Sequence, residues 1–442
     1  MSHHLTLRNL LLLSSSLSLL LLLLLYSLHP INPPLTRPPP PPSATPLSLR
    51  HLVFGIASSA RSFPSRRPYL RLWWDPPNTH GFVFLDRNLS FSDDPSLPPL
   101  ARISSELVAL IDESGPSDAR WVVLGDDDTV FFPENLVRTL AKYDSRMWYY
   151  VGSISESFDQ NVENSFGMAF GGGGIALSLP LARVLARVLD GCLKRYSRLY
   201  GSDARIYSCL AELGVGLTSE PGFHQVDIRG DLFGMLSAHP LAPLVSLHHL
   251  DKVEPIFPMM DHVQALGHLF KAVKVDPGRI LQQSVCYDRS ESQRTVSVSW
   301  GYNVQVFEGN WLLPDLVSWQ RTFLPWRRGR NVGLIHYMAN TMEVPKELCQ
   351  RPVVFFLLNV TSDSSGIQSI YGRNNTESCL QGMSLTKHLQ HIRVFSEKFD
   401  LDIKQLQSPR RHCCDVLPSS SNTTMDIGIR KCKYDELISM DS

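Results

Sequence analysis

The chain has 442 residues, 42 basic and 42 acidic side chains, and a hydrophobic content of 43%. Its zero net charge excludes a protein that binds nucleic acid by bulk electrostatic attraction, and its hydrophobic content is typical of a globular protein. The length exceeds that of an average domain, so more than one structural unit is expected.

An uncharged segment lies near the N-terminus, where residues 10–28 are almost entirely Leu and Ser. Its length matches the hydrocarbon core of a bilayer and predicts a transmembrane signal-anchor after a cytoplasmic tail of residues 1–9. A cleaved signal peptide is the alternative, but no convincing small-residue cleavage site follows. Residues 29–49 form a Pro-rich stem, predicted to be stiff polyproline II structure. This layout predicts a single-pass type II membrane protein with a lumenal body.

Cysteine and sequon content agree with a lumenal body. The eight cysteines form an even set, as expected in an oxidising compartment, although scattered reduced thiols of a cytosolic protein are the alternative. Cys192 and Cys209 flank a turn at Gly201 and are predicted to form a disulfide. Glycosylation sequons begin at four asparagines, Asn88, Asn359, Asn374 and Asn422. The body is therefore predicted to be a disulfide-bonded glycoprotein.

Strand and helix patterns alternate from residue 50 to residue 280. Apolar runs of β-forming residues predict strands, and apolar residues every three to four positions predict helices. In chain order these are strands at 51–59 and 81–86, a helix at 103–111, a strand that begins at 121, a helix at 134–143, a strand at 147–151, and helices at 181–200 and 206–213. Such alternation predicts an α/β domain with a mostly parallel central sheet.

Three consecutive carboxylates, Asp126, Asp127 and Asp128, end the apolar strand that begins at Trp121. Open α/β sheets bind their ligands at the carboxyl ends of the strands. Adjacent buried carboxylates repel one another, and a divalent cation such as Mg²⁺ or Mn²⁺ removes that repulsion. The triplet therefore predicts a metal–phosphate site. The alternative is an acidic turn in which one Asp caps the helix that starts near Pro133.

Two further segments carry candidate binding groups. Four glycines at 171–174 allow close approach of the backbone to a ligand, but they lack the spacing of a Walker or dinucleotide motif. A flexible hairpin turn is the alternative. The pair His248-His249 lies among apolar residues, and neutral imidazole is a good metal ligand, although a lone histidine is more often structural. His248 is predicted to complete the site of Asp126 and Asp128.

The region at 281–442 differs in character. Alternating apolar and polar residues predict half-buried antiparallel strands, and short apolar runs predict further strands. These lie at 296–300, 304–306, 352–358 and 425–429, with Cys413, Cys414 and Cys432 among them. The pattern predicts a β-rich C-terminal region that is held partly by disulfides and carries no catalytic constellation.

Six motifs occur in an order that resembles a known family. They lie at 124–129, 150–153, 169–174, 200–203, 220–225 and 246–251. Together they look like the plant Fringe-related proteins, which carry domain of unknown function 604 and are grouped with the Fringe-like β-1,3-glycosyltransferases of glycosyltransferase family 31. The resemblance covers roughly residues 50–440, and its specificity lies in the joint order of the motifs.

The resemblance implies a GT-A fold, a UDP-sugar donor, Mn²⁺ (or Mg²⁺) as cofactor and inversion at the anomeric carbon. The aspartate triplet corresponds to the DXD motif, in which Asp128 would bind the metal directly. Asp126 or Asp127 would help to hold the metal or the ribose. His248 resembles the histidine that is the late metal ligand in the related core-1 galactosyltransferases, and His224 is the second candidate.

Donor and acceptor roles follow from the same resemblance. Asp86 and the glycine run, with Gly172 and Gly173, would line the nucleotide-sugar pocket, and Asp203 would act as the general base. Two departures stand out. The family commonly has Ser-Asp-Asp-Arg where this chain has Ser-Asp-Ala-Arg, so Ala204 replaces a second carboxylate. The path from residue 86 to residue 102 is also shorter than is usual for relatives.

The prediction is a Golgi type II membrane glycosyltransferase that transfers a sugar from a UDP-sugar to a glycan or glycoprotein acceptor and binds no nucleic acid. A catalytically weak or inactive glycosyltransferase-like scaffold that binds glycans is the alternative, supported by Ala204 and the short 86–102 segment. A metal-dependent hydrolase is the third hypothesis, disfavoured because no second carboxylate cluster suggests a two-metal site.

Overall fold

The structure, a computed structural model, describes residues 45–86, 100–102, 116, 118–288, 294–327, 336–374, 386, 388–400, 402–419 and 421–439. The chain divides into two compact units, residues 1–46 and residues 47–442. The predicted transmembrane helix at 10–28, most of the stem and the predicted helix at 103–111 lie outside the described residues. Among the described residues, no helix is both long and apolar enough to cross a membrane.

Eleven strands and seven helices occupy the N-terminal part of the second unit, as far as it is described. The strands are β1 (Leu52–Ala57), β2 (His80–Leu85), β3 (Leu100–Arg102), β4 (Trp121–Asp126), β5 (Val130–Phe131), β6 (Tyr150–Gly152), β7 (Ile175–Ser178), β8 (Leu217–Ser219), β9 (Phe223–His224), β10 (Ile228–Gly230) and β11 (Ser246–Leu247). The helices are α1 (Phe63–Trp73), α2 (Pro133–Leu140), α3 (Phe158–Glu163), α4 (Leu179–Arg195), α5 (Ser202–Glu212), α6 (Phe233–Ser237) and α7 (His262–Val275), with 3-10 turns at Leu49–His51 and Pro277–Arg279.

Seven of these strands form a central sheet in the order β3-β2-β1-β4-β7-β6-β8. The pairs β1–β2, β1–β4, β2–β3 and β6–β8 are parallel, whereas β4–β7 and β6–β7 are antiparallel. The α/β class with a mostly parallel sheet is therefore confirmed. The antiparallel strand β7 was not predicted. After β6 the chain passes through α3 and the glycine turn at 171–174 and then runs back between β4 and β6, antiparallel to both.

Both faces of the central sheet are covered. In β1, Leu52, Phe54 and Ile56 pack into one hydrophobic core, whereas Val53 packs into a second core with Val122 and residues of α4 and α5. A strand with both faces buried has a continuous apolar sequence, and this is why β1 and β4 were recognisable in the sequence. Their carboxyl ends, at Ala57 and Asp126, lie side by side because the two residues are register partners.

A small three-stranded sheet lies beside the carboxyl end of β4. Its order is β5-β11-β9, with Leu247 paired to Val130 and to His224. Since Val130 follows the aspartate triplet by two positions, this register brings residue 248 towards the triplet. The small sheet thus joins three segments that are far apart in the sequence.

The C-terminal region is rich in strands, as predicted. They are β12 (Gln283–Asp288), β13 (Arg294–Ser299), β14 (Asn303–Glu308), β15 (Trp319–Gln320), β16 (Phe323–Pro325), β17 (Thr341–Met342), β18 (Val353–Asp363), β19 (Gly366–Arg373), β20 (His391–Ser396), β21 (Cys413–Leu417) and β22 (Thr424–Arg430), with helices α8 (Leu313–Leu316) and α9 (Ile403–Gln407) and a 3-10 turn at Leu348–Gln350. Eight strands form a sheet that closes on itself in the order β12-β13-β14-β18-β19-β20-β22-β21.

The prediction of half-buried strands is wrong for β13, where both faces are covered. The serines on its polar face, Ser297 and Ser299, are each 1% exposed. Gln283 Nε2 donates to Ser297 Oγ at 2.9 Å, and Ser299 Oγ donates to the carbonyl of Leu236 at 2.9 Å. Helix α6 of the N-terminal part therefore covers a face that the alternating sequence pattern assigned to solvent.

Three disulfides among described residues hold the unit. Cys192 is bonded to Cys209, which confirms the predicted pairing of α4 with α5. In the C-terminal region, the bond of Cys286 to Cys414 joins β12 to β21, and the bond of Cys413 to Cys432 joins β21 to the segment after β22. The prediction that disulfides help to hold this region is confirmed.

A buried charge cluster joins the N-terminal part to the C-terminal strands. Arg279 pairs with Asp276 at 3.2 Å, and the guanidinium lies 4.9 Å from the centre of the Phe399 ring. His412 stacks edge-on against Phe399 and lies 3.3 Å from Arg279. Burial, followed by the charges of Arg279 and Lys431, lowers the pKa of His412 to about 4. Protonation of His412 at this junction therefore opposes folding.

Candidate metal centre

The aspartate triplet forms a tight turn at the end of β4. Asp126 N donates to Thr129 Oγ1 at 2.8 Å, and Thr129 N donates to Asp126 O at 3.0 Å. These reciprocal bonds are typical of polar turn residues and hold three successive side chains in different directions. Asp128 is 5% exposed and Asp127 is 7% exposed, whereas the side chain of Asp126 is 45% exposed, so two of the three carboxylates are buried, in contrast to an ordinary acidic surface turn.

Two of the three carboxylates meet an imidazole. His248 Nε2 lies 3.1 Å from Asp128 Oδ1 and 3.7 Å from Asp126 Oδ2, and one ligand atom from each residue lies within 4.8 Å of the others. Carboxylate oxygens suit Mg²⁺ and Mn²⁺, and an imidazole is a ligand of transition metals. The donor set therefore fits one divalent cation, as the sequence predicted, although its binding of an ion stays a prediction.

The electrostatics of the cluster are those of closely spaced charges in a site with little water. Loss of water around the carboxylate raises the pKa of Asp126 to about 6; His248 opposes this shift, and Asp128, Asp127 and Asp203 add to it. A bound cation would relieve the repulsion that these carboxylates exert on one another.

Asp128 and His248 instead stabilise each other as an ion pair. Burial alone would raise the pKa of Asp128, but the hydrogen bond and charge of His248 and the charge of Arg66 outweigh it and lower the pKa. Burial likewise would lower the pKa of His248, but its hydrogen bond to Asp128 and the charges of Asp128 and Asp126 raise it.

The orientation of His248 is set on two sides. Its Nδ1 lies 3.1 Å from the carbonyl oxygen of Gln225, which only accepts, so Nδ1 carries the proton and Nε2 faces the carboxylates. On the glycine side, a methyl group added at Gly172 would overlap the imidazole ring. Only glycine therefore leaves room for this ring position.

The glycine turn is held by side chains, so the flexible-turn alternative does not describe it. Thr129 Oγ1 donates to Gly172 O at 2.8 Å, and Gly173 N donates to Gln225 Oε1 at 2.7 Å. Ser246 Oγ donates to Gly173 O. Gly172 and Gly173, predicted to line a sugar pocket, therefore form a fixed wall of the cluster.

Asp127 and Asp86 both contact the loop between β1 and α1. Asp127 Oδ2 accepts hydrogen bonds from Ser58 Oγ at 2.5 Å and Ser62 Oγ at 2.8 Å, and Asp86 Oδ1 accepts one from Ala60 N at 2.8 Å. Burial raises the pKa of Asp127, and the two hydroxyl groups oppose that shift. The structure thus shows an anchoring role for both residues, and their predicted contact with a nucleotide stays a prediction.

His224 lies outside the cluster. Its Nδ1 lies 3.0 Å from Glu156 Oε1 and its Nε2 lies 2.9 Å from His239 Nε2, in a network that is buried throughout. Successive side chains of a strand point to opposite faces, so Gln225 turns towards the glycine wall and His224 away from it. Between the two candidate histidines, the geometry brings only His248 to the carboxylates.

Asp203 lies in the first turn of α5, on the far side of the glycine turn. Its carboxylate accepts hydrogen bonds from Gly171 N at 3.3 Å and Ala204 N at 2.9 Å. The side chain is half-buried, and its charge contributes to the raised pKa of Asp126. The structure therefore brings Asp203 close to the candidate metal centre, with part of its hydrogen-bonding capacity used by the backbone, and its role as general base stays a prediction.

Sequence reasoning missed Arg66, which pairs with Asp128 and lies 2.9 Å from Asp251 Oδ2. Arg66 is in the first turn of α1, the helix that follows β1. Open α/β sheets bind their ligands at the carboxyl ends of the strands, and the first turn of the helix after β1 lies at that edge of the sheet. This rule would have identified Arg66 from the sequence. Gln225 and Thr129 were also missed, because each contacts the glycine turn across a long separation in the sequence.

The model of one protein family, described as "Protein of unknown function, DUF604", matches residues 160–414. The chain belongs to this family. The match contains the glycine turn, Asp203 and His248 of this DUF604 protein, and it begins after the aspartate triplet. The membership confirms the resemblance to domain of unknown function 604, whereas the link to the Fringe-like glycosyltransferases stays a proposal. A search of curated proteins found no match.

Two solved structures of the galactosyltransferase LgtC are similar to this DUF604 chain. One, in complex with donor and acceptor sugar analogs, has 13% identity and a TM-score of 0.30, and covers 49% of this chain and 95% of that chain. An active-site mutant of LgtC has 12% identity and a TM-score of 0.30, and covers 48% of this chain and 93% of that chain. Neither similarity is high enough to bear on function.

Proposed function

We propose that this protein is a metal-dependent glycosyltransferase that transfers a sugar from a UDP-sugar to a glycan or glycoprotein acceptor. One observation carries the proposal: Asp126, Asp128 and His248 converge at the carboxyl end of β4, against a wall of glycine backbone. That position is where open α/β sheets bind nucleotides, and glycine backbone lets a sugar or phosphate approach closely.

Asp126, Asp128 and His248 would hold Mn²⁺, which an imidazole donor favours over Mg²⁺. The ion would supply positive charge next to the leaving diphosphate. Asp127 and Asp86 hold the loop after β1, and in the proposed function this loop carries the nucleotide side of the site. Gly172 and Gly173 form the wall on the sugar side.

Inversion by direct displacement requires a general base at the acceptor hydroxyl. Asp203 is proposed for this role, because its carboxylate lies across the glycine turn from the metal ligands. A second candidate function, a glycan-binding scaffold with weak or no catalysis, is favoured by one specific observation. Both Asp203 oxygens accept backbone hydrogen bonds, and Ala204 supplies no further carboxylate.

The test is Mn²⁺-dependent binding of UDP, followed by a screen of UDP-sugars for transfer or hydrolysis. Asp128→Asn keeps the shape of the side chain and removes its charge, so UDP binding should require Mn²⁺ in the parent and be lost in this variant. Asp190→Asn, on the exposed side of α4, is the matched control and should bind as the parent does. Equal affinity in parent and Asp128→Asn would mean that the triplet is a structural turn. Binding without turnover on any acceptor would favour the scaffold.

The location is proposed to be the Golgi membrane, with residues 10–28 as the anchor and the body in the lumen. The support is the uncharged Leu-rich segment together with a disulfide-bonded body, which fits an oxidising compartment. Protease added to sealed microsomes should leave the body intact, and digestion from the cytosolic side would contradict this orientation.

A further inference from the structure

A strained backbone lies directly beside the histidine of the candidate metal centre. His249 has φ of 54°, in the left-handed region that few residues other than glycine adopt, although histidine, asparagine and aspartate occur there more often than the rest. The turn that contains it is closed by a hydrogen bond from Lys252 N to His249 O at 2.8 Å. Such a conformation persists only where surrounding contacts hold it, and it is concentrated at functional sites.

The contacts that hold His249 are aromatic. The centre of its ring lies 3.8 Å from that of His248, with the two planes inclined by 33°, and 4.4 Å from that of Trp326, with the planes inclined by 18°. The guanidinium of Arg229 covers the Trp326 ring at 5.2 Å. Strand β16, which ends next to Trp326, pairs with β10, which carries Arg229. The rings thus form a continuous stack from the metal centre outwards.

The left-handed backbone explains how two adjacent histidines stack. In an extended strand, successive side chains point to opposite faces, so neighbouring rings diverge. The strand β11 ends at Leu247, and the chain turns at His249, which places the second ring beside the first. The contact between the two histidine rings therefore depends on the left-handed backbone at His249.

Gly172 and Gln225 also restrict the His248 ring. Gly172 backbone leaves no room for a methyl group there, and the carbonyl of Gln225 holds Nδ1. Without the ring of His249, only the contacts at its two nitrogens would hold the imidazole of His248, and the ring could tilt. Tilting would move Nε2 away from Asp126 and Asp128.

We propose that His249 is a positioning residue of the metal centre: its ring, backed by Trp326, presses the His248 imidazole against Gly172 and keeps Nε2 directed at the two carboxylates. The role rests on the metal site of the proposed function and is independent of whether a sugar is transferred. His249 itself is not a ligand in this arrangement, since its Nδ1 faces Asp227 at 3.4 Å.

The experiment compares three variants of the full chain by titration with Mn²⁺ alone. His249→Gly permits the left-handed backbone and removes the ring, His249→Phe keeps a ring in the same place, and Met259→Gly is the matched control. Met259 also has a left-handed backbone, with φ of 61°, but is 96% exposed. We expect His249→Gly to weaken Mn²⁺ binding by about 10–100-fold, the usual loss when a group that orients a ligand is removed. His249→Phe should restore most of the affinity.

Thermal unfolding of the same proteins separates positioning from folding. A purely structural role would change the unfolding temperature of His249→Gly and leave the Mn²⁺ affinity of the folded protein equal to that of the parent, and this result would overturn the proposal. Affinity as weak in His249→Phe as in His249→Gly would overturn it too. If the parent itself binds no Mn²⁺, the metal site of the proposed function fails, and the positioning role fails with it.

If His249→Gly does not fold, a variant outside the turn still tests the proposal. Trp326→Leu removes the outer ring of the stack and leaves the backbone at His249 unchanged. Its Mn²⁺ affinity should fall several-fold, in the range expected for an outer-shell group. An affinity equal to that of the parent would show that the stack does not position His248.

Discussion

Replacement of Gly172 by alanine tests whether the glycine wall sets the position of His248. The backbone of Gly172 is outside the left-handed region, so alanine meets no conformational penalty there, and the effect is purely steric. A methyl group at this position would overlap three atoms of the His248 ring. Either the imidazole or the glycine turn must therefore move.

The surrounding hydrogen bonds decide which of the two moves. The turn is fixed by hydrogen bonds from Thr129 to Gly172 O, from Gly173 N to Gln225 and from Ser246 to Gly173 O. The His248 ring is a side chain, held by contacts at its two nitrogens and by the ring of His249. We therefore expect the ring to shift. Forcing a methylene-sized group into a packed site costs about 1–3 kcal/mol of stability. Displacing the imidazole from the carboxylates should weaken metal binding by about 100-fold, or about 2.8 kcal/mol.

Isothermal titration with Mn²⁺ and thermal unfolding measure the two effects on the same protein. Gly216→Ala is the matched control, because this glycine also lies outside the left-handed region and nothing would contact its new methyl group. The control should leave Mn²⁺ affinity unchanged. Affinity and stability equal to those of the parent in Gly172→Ala would refute the reasoning, because they would show that the glycine turn can move to accommodate the methyl group despite its hydrogen bonds.

Three further predictions follow from described contacts. Removing the Cys192–Cys209 disulfide, which joins residues 17 apart in the sequence, by alanine substitution at both positions should lower the free energy of unfolding by about 3 kcal/mol, and urea titration measures this loss. The folded pKa of His412 is lowered from 6.5 to about 4, so the unfolded chain binds more protons in that interval and stability should fall as pH falls through it. Thermal melts across pH should show a shallower decline for His412→Gln, and an unchanged decline would contradict this assignment. Asp203→Asn should lower transfer by roughly 10²–10⁴-fold with Mn²⁺–UDP binding retained. If Ala204→Asp raises turnover and Asp203→Asn has little effect, the base belongs at position 204.

Local patterns in the sequence predicted those parts of the structure that are determined by nearby residues. The apolar run of β4 followed by Asp126, Asp127 and Asp128 placed the carboxylates at the end of a buried strand, because a strand buried on both faces has a continuous apolar sequence. Alternation of apolar and polar residues likewise predicted the β-rich C-terminal region. Cys192 and Cys209 were identified as a pair because they flank one turn.

Only the tertiary structure decided which distant side chains meet. His248 reaches Asp128 through the pairing of Leu247 with Val130, and a shift of that register by one residue would turn the imidazole to the other side. The orientation of His248 also depends on Gln225, and that of His249 on Trp326. These pairs are too far apart in the sequence for a periodic residue pattern to indicate their contact. The sequence by itself thus determined the buried strand β4 and the carboxylates at its end, whereas the register between strands decided which imidazole completes the site.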